Sequence, residues 1–257
     1  MTTFSTFVYD VFLAFANVST PERPRFGAVR RHPSFTLLES LTSLHRQFMN
    51  GFAQTVITFA LSIAALKLGL ALGRHLPPLP RRKRVVALHR HMSVHATAVA
   101  LGLLTWVAAA LLAGLGPRVW RGRATFAITF GPAGTLLRFH LSRMLNSRQP
   151  RFPLGTFAAN IFASLVIAAC GAVQRGAGLD VVQCAVVQGI SDGFCGSLST
   201  VSTFALELRN LAKRRPRRDA YIYAGVSWAA GVLACVVVFG SWWWSQGQYG
   251  SYPLCSA

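Results

Sequence analysis

Residues 199–204 read Ser199-Thr200-Val201-Ser202-Thr203-Phe204, and residues 2–7 read Thr2-Thr3-Phe4-Ser5-Thr6-Phe7. The two stretches are identical at four positions, and an acid follows each final Phe by three residues, Asp10 and Glu207. Hydroxyl residues with embedded Phe, inside an apolar segment, suggest a place where something polar crosses a membrane. The repetition predicts two related halves, and its position at residue 2 predicts that the first half is cut short.

The composition is that of a membrane protein. Of the 257 residues, 53% are hydrophobic and 13% are charged, whereas a soluble domain carries about 25% charged residues. Segments 48–73, 93–116, 153–174 and 220–244 are long and apolar enough to span a bilayer as helices. Segments 124–146 and 179–210 are apolar but carry polar groups, and residues 1–16 resemble the end of another span. We therefore predict an all-α polytopic membrane protein with six full spans and one partial span.

The net charge of +19 does not indicate a nucleic-acid partner. The basic residues lie in short loops between spans, where they fit the positive-inside rule and attraction to anionic membrane lipid. Loops 75–91 and 211–219 are accordingly predicted to be cytoplasmic. Loop 18–47 must then lie outside, although it holds five arginines, and it is the one loop that runs against the rule.

This topology makes the two halves inverted. We predict a partial first repeat over 1–74, a cytoplasmic loop and linker span over 75–123, a complete second repeat over 124–245, and an extracellular tail over 246–257. Two spans and the start of a third are expected to be missing before Met1. The four cysteines within spans, among them Cys184, are predicted to be small buried apolar residues rather than a disulfide framework, and Cys255 receives no role.

Three features place polar chemistry in the second half. Arg138 follows Gly131 and Gly134 and is a permanent charge in or near the membrane, with snorkelling to the surface as an equal alternative. Asn160 must find a partner or face a cavity, and a helix–helix hydrogen bond is its commoner fate. Glycines 189, 193 and 196 precede the Ser/Thr run, which predicts a broken helix whose carbonyls hold a cation and whose hydroxyls serve an anion. The alternative is a small-residue packing face without a break.

The fourth span of each half carries hydroxyls on one face. Thr55, Thr58 and Ser62 lie at helical spacing in the first half, and Tyr221, Tyr223 and Ser227 occupy similar places in the second. A hydroxyl that bonds back to its own helix is the alternative for each of them.

Together these motifs match a family. The run from Gly193 to Phe204, with Glu207, resembles the third-helix signature of the Fluc/CrcB fluoride channels. Gly155-Thr156 with Asn160 is similar to their second helix, and Gly131, Gly134 and Arg138 are similar to their first. Two such domains joined by one extra span resemble the eukaryotic fluoride export proteins, known as FEX.

The resemblance implies a passive, fluoride-selective channel at the interface of the inverted domains. It implies a structural sodium ion held by backbone carbonyls at the two helix breaks, with Gly196 and Ser199 on one side and Thr2 on the other. Phe4, Phe7 and Phe204 match the Phe positions that line the pathway, whereas Val201 departs from that pattern. The remaining residues expected along the pathway are Asn160, Ser5, Thr6, Ser202, Thr203, Thr58, Ser62, Tyr221 and Ser227, with Arg138 and Glu207 as further site residues.

The chemistry of fluoride suits these residues. The ion is small and strongly hydrated, so hydroxyl and amide donors must replace water, and Phe ring edges carry partial positive charge. The implied partners are fluoride, sodium and membrane lipid, and no catalytic cofactor is expected. A complete protein is expected to be a monomer in the plasma membrane, whereas a truncated chain could self-associate.

Two other classes of function are open. An intramembrane enzyme would need a nucleophile with a base, but His140 has no evident partner, and His91 and His95 lack an acidic or cysteine cluster. A non-conducting membrane scaffold is the second alternative, and the predicted truncation makes it serious.

Overall fold

The computed structural model describes residues 3–16, 18, 37–75, 92–149, 151–176, 178–214 and 216–246, without the side chains of 37–47, 75 and 92–94. Thr2, Cys255, most of the predicted loops 18–47 and 75–91, and nearly all of the predicted tail lie outside the described residues. Within the described part the protein is helical and has no strand. The fold class predicted from the sequence is confirmed.

The first five helices are α1 (Phe4–Phe15), α2 (Leu37–His75), α3 (Met92–Leu115), α4 (Arg123–Leu145) and α5 (Leu154–Gly176). Four helical stretches are long and apolar enough to cross a membrane: Phe48–Arg74, His95–Leu115, Leu154–Gly176 and Arg218–Ser245. These stretches coincide with the four most apolar segments of the sequence. Segment 124–146, which is less apolar, forms the 23-residue helix α4.

The prediction of a loop over residues 18–47 is wrong for its C-terminal part, because α2 begins at Leu37. Residues 37–47 read LLESLTSLHRQ, a run rich in helix-forming Leu, Glu, Gln and Arg without Gly or Pro. The amphipathic run therefore extends the apolar helix toward its N-terminus instead of forming a loop.

The segment over 179–210 is broken, as its glycines and hydroxyls predicted. It contains α6 (Val181–Gly189), a π-helical turn (Ile190–Cys195), the short α7 (Gly196–Leu198) and α8 (Val201–Lys213). Between α7 and α8 the backbone is extended, with φ −102° and ψ 147° at Ser199 and φ −152° and ψ 124° at Thr200. The break therefore lies inside the repeated motif.

The last span consists of α9 (Arg218–Cys235), a second π-helical turn (Val236–Gly240) and α10 (Ser241–Ser245). Neither π-turn was predicted from the sequence. Such turns depend on how a helix packs against its neighbours and often occur at functional sites.

The glycines of the broken segment also form a packing face. A Cβ on Gly193 would lie 2.2 Å from the carbonyl oxygen of Ala127, and one on Gly134 would lie 2.3 Å from that of Phe194. Only glycine allows α4 to approach the π-turn this closely. The two explanations of the glycine pattern, a break and a packing face, therefore hold at different residues of one segment.

Helix α1 is the part of the first repeat that enters the core. Phe4, Phe7 and Val8 are buried against residues of α8 and α9. By contrast, the most apolar windows of α2 and α3 are 0% and 6% buried inside the protein, against 50% for α5. Helices α2 and α3 thus present apolar surface outward, as lipid-facing helices do, and the polar site forms around α1, α5, α8 and α9.

The cysteine prediction is correct for three residues and wrong for one. Cys170, Cys195 and Cys235 are buried free thiols, whereas Cys184 is disulfide-bonded. Cys184 lies in the first turn of α6, at the end that the topology predicts to face outside the cell. Disulfides persist in that compartment, which the interpretation of Cys184 as an apolar residue did not take into account.

Candidate ion pathway

The two copies of the repeated motif touch each other at their helix breaks. Thr3 is extended (φ −85°, ψ 162°) and precedes the first turn of α1. The backbone N–H of Ser5 donates to Ser199 Oγ over 3.2 Å, and the two hydroxyl oxygens are 2.7 Å apart. Both serines are fully buried. Residues 194 positions apart in the chain therefore join the start of α1 to the end of α7.

The residues at this junction fit a small cation. The N–H of Thr200 donates to Asn160 Oδ1 over 3.2 Å instead of to the Gly196 carbonyl four residues earlier. A helix end leaves carbonyl oxygens without intrahelical donors, and such oxygens are the ligands that hard cations prefer. Gly196 faces Thr3, since a Cβ on Gly196 would lie 3.8 Å from Thr3 Cγ2. Thr2, the remaining residue implied for sodium, lies outside the described residues.

Phenylalanine rings from both copies of the motif contact one another near the junction. The rings of Phe4 and Phe204 are 5.2 Å apart at 65°, and those of Phe4 and Phe7 are 6.2 Å apart at 76°. Phe59 of α2 lies 5.6 Å from Phe7 and 6.0 Å from Phe204. The structure thus brings together the three rings named from the sequence and adds Phe59. Only its place one residue after Thr58 could have pointed to Phe59.

The Glu207 carboxylate accepts hydrogen bonds from two hydroxyls near the rings. Thr156 Oγ1 donates to Glu207 Oε1 over 2.6 Å, and Tyr223 OH donates to Glu207 Oε2 over 2.7 Å. The Tyr223 ring also lies 5.2 Å from the Phe204 ring. Three helices, α5, α8 and α9, therefore meet at one carboxylate.

Tyr221 does not join this group, contrary to the prediction. Its side chain is 78% exposed, whereas Tyr223 is fully buried. Tyr223 and Ser227 lie four residues apart on one face of α9, and Tyr221 is rotated by about 200° from Tyr223. The helical spacing of the segment already places Tyr221 on a different face from Tyr223 and Ser227. The prediction that grouped both tyrosines with Ser227 did not take this spacing into account.

Two buried polar atoms at this site lack partners within the described residues: Asn160 Nδ2 and Ser227 Oγ. Asn160 is 1% exposed and Ser227 is fully buried. The Thr200 N–H must face an acceptor, so the amide oxygen of Asn160 is the bonded atom and its NH₂ group is the free one. An amide donor on α5 and a hydroxyl on α9 therefore remain without a hydrogen-bond partner in the described part of the chain.

The other hydroxyls predicted for the pathway lie elsewhere. Ser202 is exposed, and Ser62 Oγ donates to the Thr58 carbonyl over 2.7 Å, which is the back-bonding alternative. Thr6 Oγ1 lies 2.8 Å from Thr3 Oγ1. Ser62, Thr58 and Thr6 are half-buried, and these bonds hold the hydroxyls of Ser62 and Thr6 to their own chain segments.

The Arg138 side chain reaches the residues at the helix break. Its Nη1 donates to Thr200 Oγ1, and its Nη2 donates to Thr203 Oγ1 over 2.6 Å. Thr203, which was predicted to line the pathway, therefore accepts a hydrogen bond from Arg138. The snorkelling alternative for this arginine does not describe the structure.

Among the described residues there is no group of three or more His, Cys, Asp and Glu side chains that could hold a metal ion. His140 is exposed and contacts the ring of Phe139, and His91 lies outside the described part.

Comparison with known proteins gives consistent matches. A model of the CrcB-like proteins (Camphor Resistance, CrcB) matches residues 125–240. Fluoride export protein 1 of Neurospora crassa is 36% identical over 96% of this chain and 46% of its own length. Fluoride export protein 1 of Candida albicans is 33% identical over 77% of this chain and 51% of its own length. The chain thus spans about half the length of these fungal relatives.

A bacterial relative is covered almost completely. The fluoride-specific ion channel FluC of Chromobacterium violaceum is 33% identical over 48% of this chain and 96% of its own length. One bacterial chain thus corresponds to about half of this one. The matched residues include the helix break, Asn160, Phe204 and Glu207 within 125–240. The chain belongs to the CrcB-like family, of which the bacterial fluoride-specific channel is a member.

Proposed function

We propose that the protein containing this chain exports fluoride passively through a pathway between α1, α5, α8 and α9. The observation that carries this proposal is the buried, unpartnered NH₂ group of Asn160, held beside a helix break that begins the helix of Phe204. A buried donor without a partner costs about 1–3 kcal/mol. A small anion removes that cost when it binds.

The aromatic group favours an anion over a cation on the same path. In the edge-to-face contact of Phe4 with Phe204 the edge of one ring meets the face of the other, and we propose that the remaining edges of this group, which carry partial positive charge, line the path. Both rings are buried, so few water molecules compete with them. Fluoride would exchange its hydration for the Asn160 amide, the Ser227 hydroxyl and these ring edges.

The departure at Val201 does not remove a ring from this group. The Phe4–Phe204 pair takes one ring from each copy of the motif, and Val201 occupies the position that corresponds to Phe4. This pathway therefore keeps two aromatic walls. A second pathway related by the inverted repeat would face Val201 in place of a ring.

We place the protein in the plasma membrane, with loops 75–91 and 211–219 in the cytosol. The names of the fungal relatives and the basic loops support this location. A membrane potential that is negative inside drives an anion outward, with about 2.3 kcal/mol per 100 mV. A structural sodium ion at the junction of the two breaks would connect the repeats through carbonyls near Gly196 and Ser199.

Fluoride release from liposomes tests the proposal. The full gene product, purified and reconstituted with internal fluoride, should release it when valinomycin and potassium set the potential, whereas liposomes loaded with chloride should not respond. Replacement of sodium by N-methylglucamine should lower the thermal unfolding temperature of the purified protein. Folded protein that releases no fluoride would contradict the channel, and it would favour the scaffold function instead.

A further inference from the structure

The contacts of Arg138 form a chain that ends at the donor of the proposed pathway. Arg138 of α4 donates to the hydroxyls of Thr200 and Thr203. The backbone N–H of the same Thr200 donates to Asn160 Oδ1 over 3.2 Å, and Asn160 Nδ2 remains buried and unpartnered within the described part of the chain. One residue at the break thus receives a hydrogen bond from α4 and gives one to α5.

The geometry of an amide makes this connection consequential. The oxygen and nitrogen of the Asn side chain leave one planar carbon in different directions, so a bond that holds the oxygen also sets the direction of the NH₂ group. Thr200 has an extended backbone at a helix break, and its carbonyl accepts the first hydrogen bond of α8 from the Phe204 N–H over 3.4 Å. That bond does not involve the Thr200 N–H, whose direction depends further on the contacts of the Thr200 side chain.

Arg138 has the chemistry to supply such a contact. Its planar guanidinium holds two acceptors at once, whereas an ammonium group is a single point charge. The two acceptors are the break residue Thr200 and Thr203 in the first turn of α8. The ion pairs of the described residues join Arg123 to Asp192 and Arg218 to Asp219. The hydrogen bonds of Arg138 go instead to the two hydroxyls.

We infer that Arg138 is a positioning residue that acts through Thr200 to direct the Asn160 amide toward the anion. This role rests on the proposed function, because it assigns the amide to fluoride. Arg138 itself does not touch the ion in this arrangement. Its removal leaves the donor in place but lets its direction vary.

The test uses Arg138→Lys, which keeps the charge but loses the planar fork, and Thr200→Val, which loses the hydroxyl but keeps the backbone N–H. Each change should lower fluoride flux by about tenfold or more, as expected for loss of one charge-assisted hydrogen bond at a binding donor, and should lower the fluoride-to-chloride permeability ratio. The double variant should be no worse than either single one. Arg143→Lys, at an exposed position near the end of the same helix, is the matched control and should leave flux unchanged.

The Asn160→Ala background separates positioning from a general structural role. Without the amide there is nothing to direct, so Arg138→Lys should then cause no further loss of flux. A further loss of the same size in that background, or losses of Arg138→Lys and Thr200→Val that multiply, would overturn the inference.

The fluoride flux of the unmodified protein tests the proposed function separately from the role of Arg138. If it conducts no fluoride, the proposed function fails. The thermal unfolding temperatures of the unmodified protein, Arg138→Lys, Thr200→Val and the double variant still decide whether Arg138 and Thr200 are coupled. Additive shifts in unfolding temperature would overturn the contact on which the inference rests.

Discussion

Asn160 has an amide whose two ends have different roles. Its oxygen accepts from the backbone of Thr200, and its nitrogen lies buried without a partner among the described residues. The sequence left open whether this Asn makes a helix–helix hydrogen bond or faces a pathway. The structure shows the hydrogen bond of the oxygen, and we propose the pathway role for the nitrogen, which a planar group with a separate donor and acceptor allows.

We expect Asn160→Ala to lower fluoride flux by about tenfold or more, because a donor that replaces hydration is removed. Ser202→Ala is the control, since Ser202 is exposed on α8 although the motif placed it in the pathway. Fluoride efflux from liposomes, normalised to folded protein, measures both. Equal effects of the two substitutions would show that Asn160 is a packing residue.

The two tyrosines of α9 offer a second matched pair. Tyr223→Phe removes the hydroxyl that donates to Glu207 and should lower the fluoride flux. It should also lower the thermal unfolding temperature, because the free energy of unfolding falls by about 1–2 kcal/mol. Tyr221→Phe should change neither, because Tyr221 is 78% exposed. Efflux and thermal melts of the two variants check this. A larger effect at Tyr221 would contradict the position of α9.

At the scale of elements, the broken segment from α6 to α8 combines close packing with an interrupted helix. Gly193 brings the π-turn against Ala127 of α4, and the extended residues Ser199 and Thr200 follow within two turns. The packing holds the part before the break, and the bonds of Arg138 hold the part after it. A break in a membrane is tolerated only where other groups satisfy the freed backbone, as Asn160 does here.

Gly193→Ala should destabilise the protein by about 1–3 kcal/mol, because the new Cβ would meet backbone and the helices must separate. Gly225→Ala in α9 is the control, since a Cβ there meets nothing within 4 Å. Thermal unfolding in detergent compares them, and the control should be neutral or slightly stabilising. Equal destabilisation of both variants would exclude the close contact of α4 with the π-turn.

At the scale of the whole molecule, the helix that carries the first copy of the motif completes a site formed around the second copy. Helix α1 supplies Phe4, Phe7 and Ser5 to a site whose other residues lie on α5, α8 and α9. Helices α2 and α3 are largely exposed within the chain. The two copies of the motif are thus in direct contact, and the apolar faces of α2 and α3 are left for lipid or for further helices.

The inverted arrangement predicts that reporter tags in loops 75–91 and 211–219 both lie in the cytosol. An odd number of spans between the two halves reverses the direction of the second copy of the motif, and the basic residues of both loops favour the same side. Protease protection or a pH-sensitive fluorescent tag in intact cells measures the side of each loop. Tags on opposite sides would remove the inverted repeat.

The sequence by itself determined the fold class and the four most apolar spans, and it predicted a break within 179–210 and the resemblance to the family. These properties depend on local signals: the length of apolar runs, the spacing of glycines, and an ordered set of motifs. The same signals singled out Phe4, Phe204, Asn160 and Glu207, which the structure brings into contact around the break, and their role in a pathway stays a prediction.

Only the tertiary structure decided which hydroxyls reach the site and what holds them. Tyr221 and Tyr223 have the same chemistry, and the packing of α9 buries one and exposes the other. The bonds of Arg138 to Thr200 and Thr203 join residues more than 60 positions apart, and the contact of Ser5 with Ser199 joins the two repeats. Contacts between distant residues depend on how helices pack in three dimensions, and a local pattern carries no record of that packing.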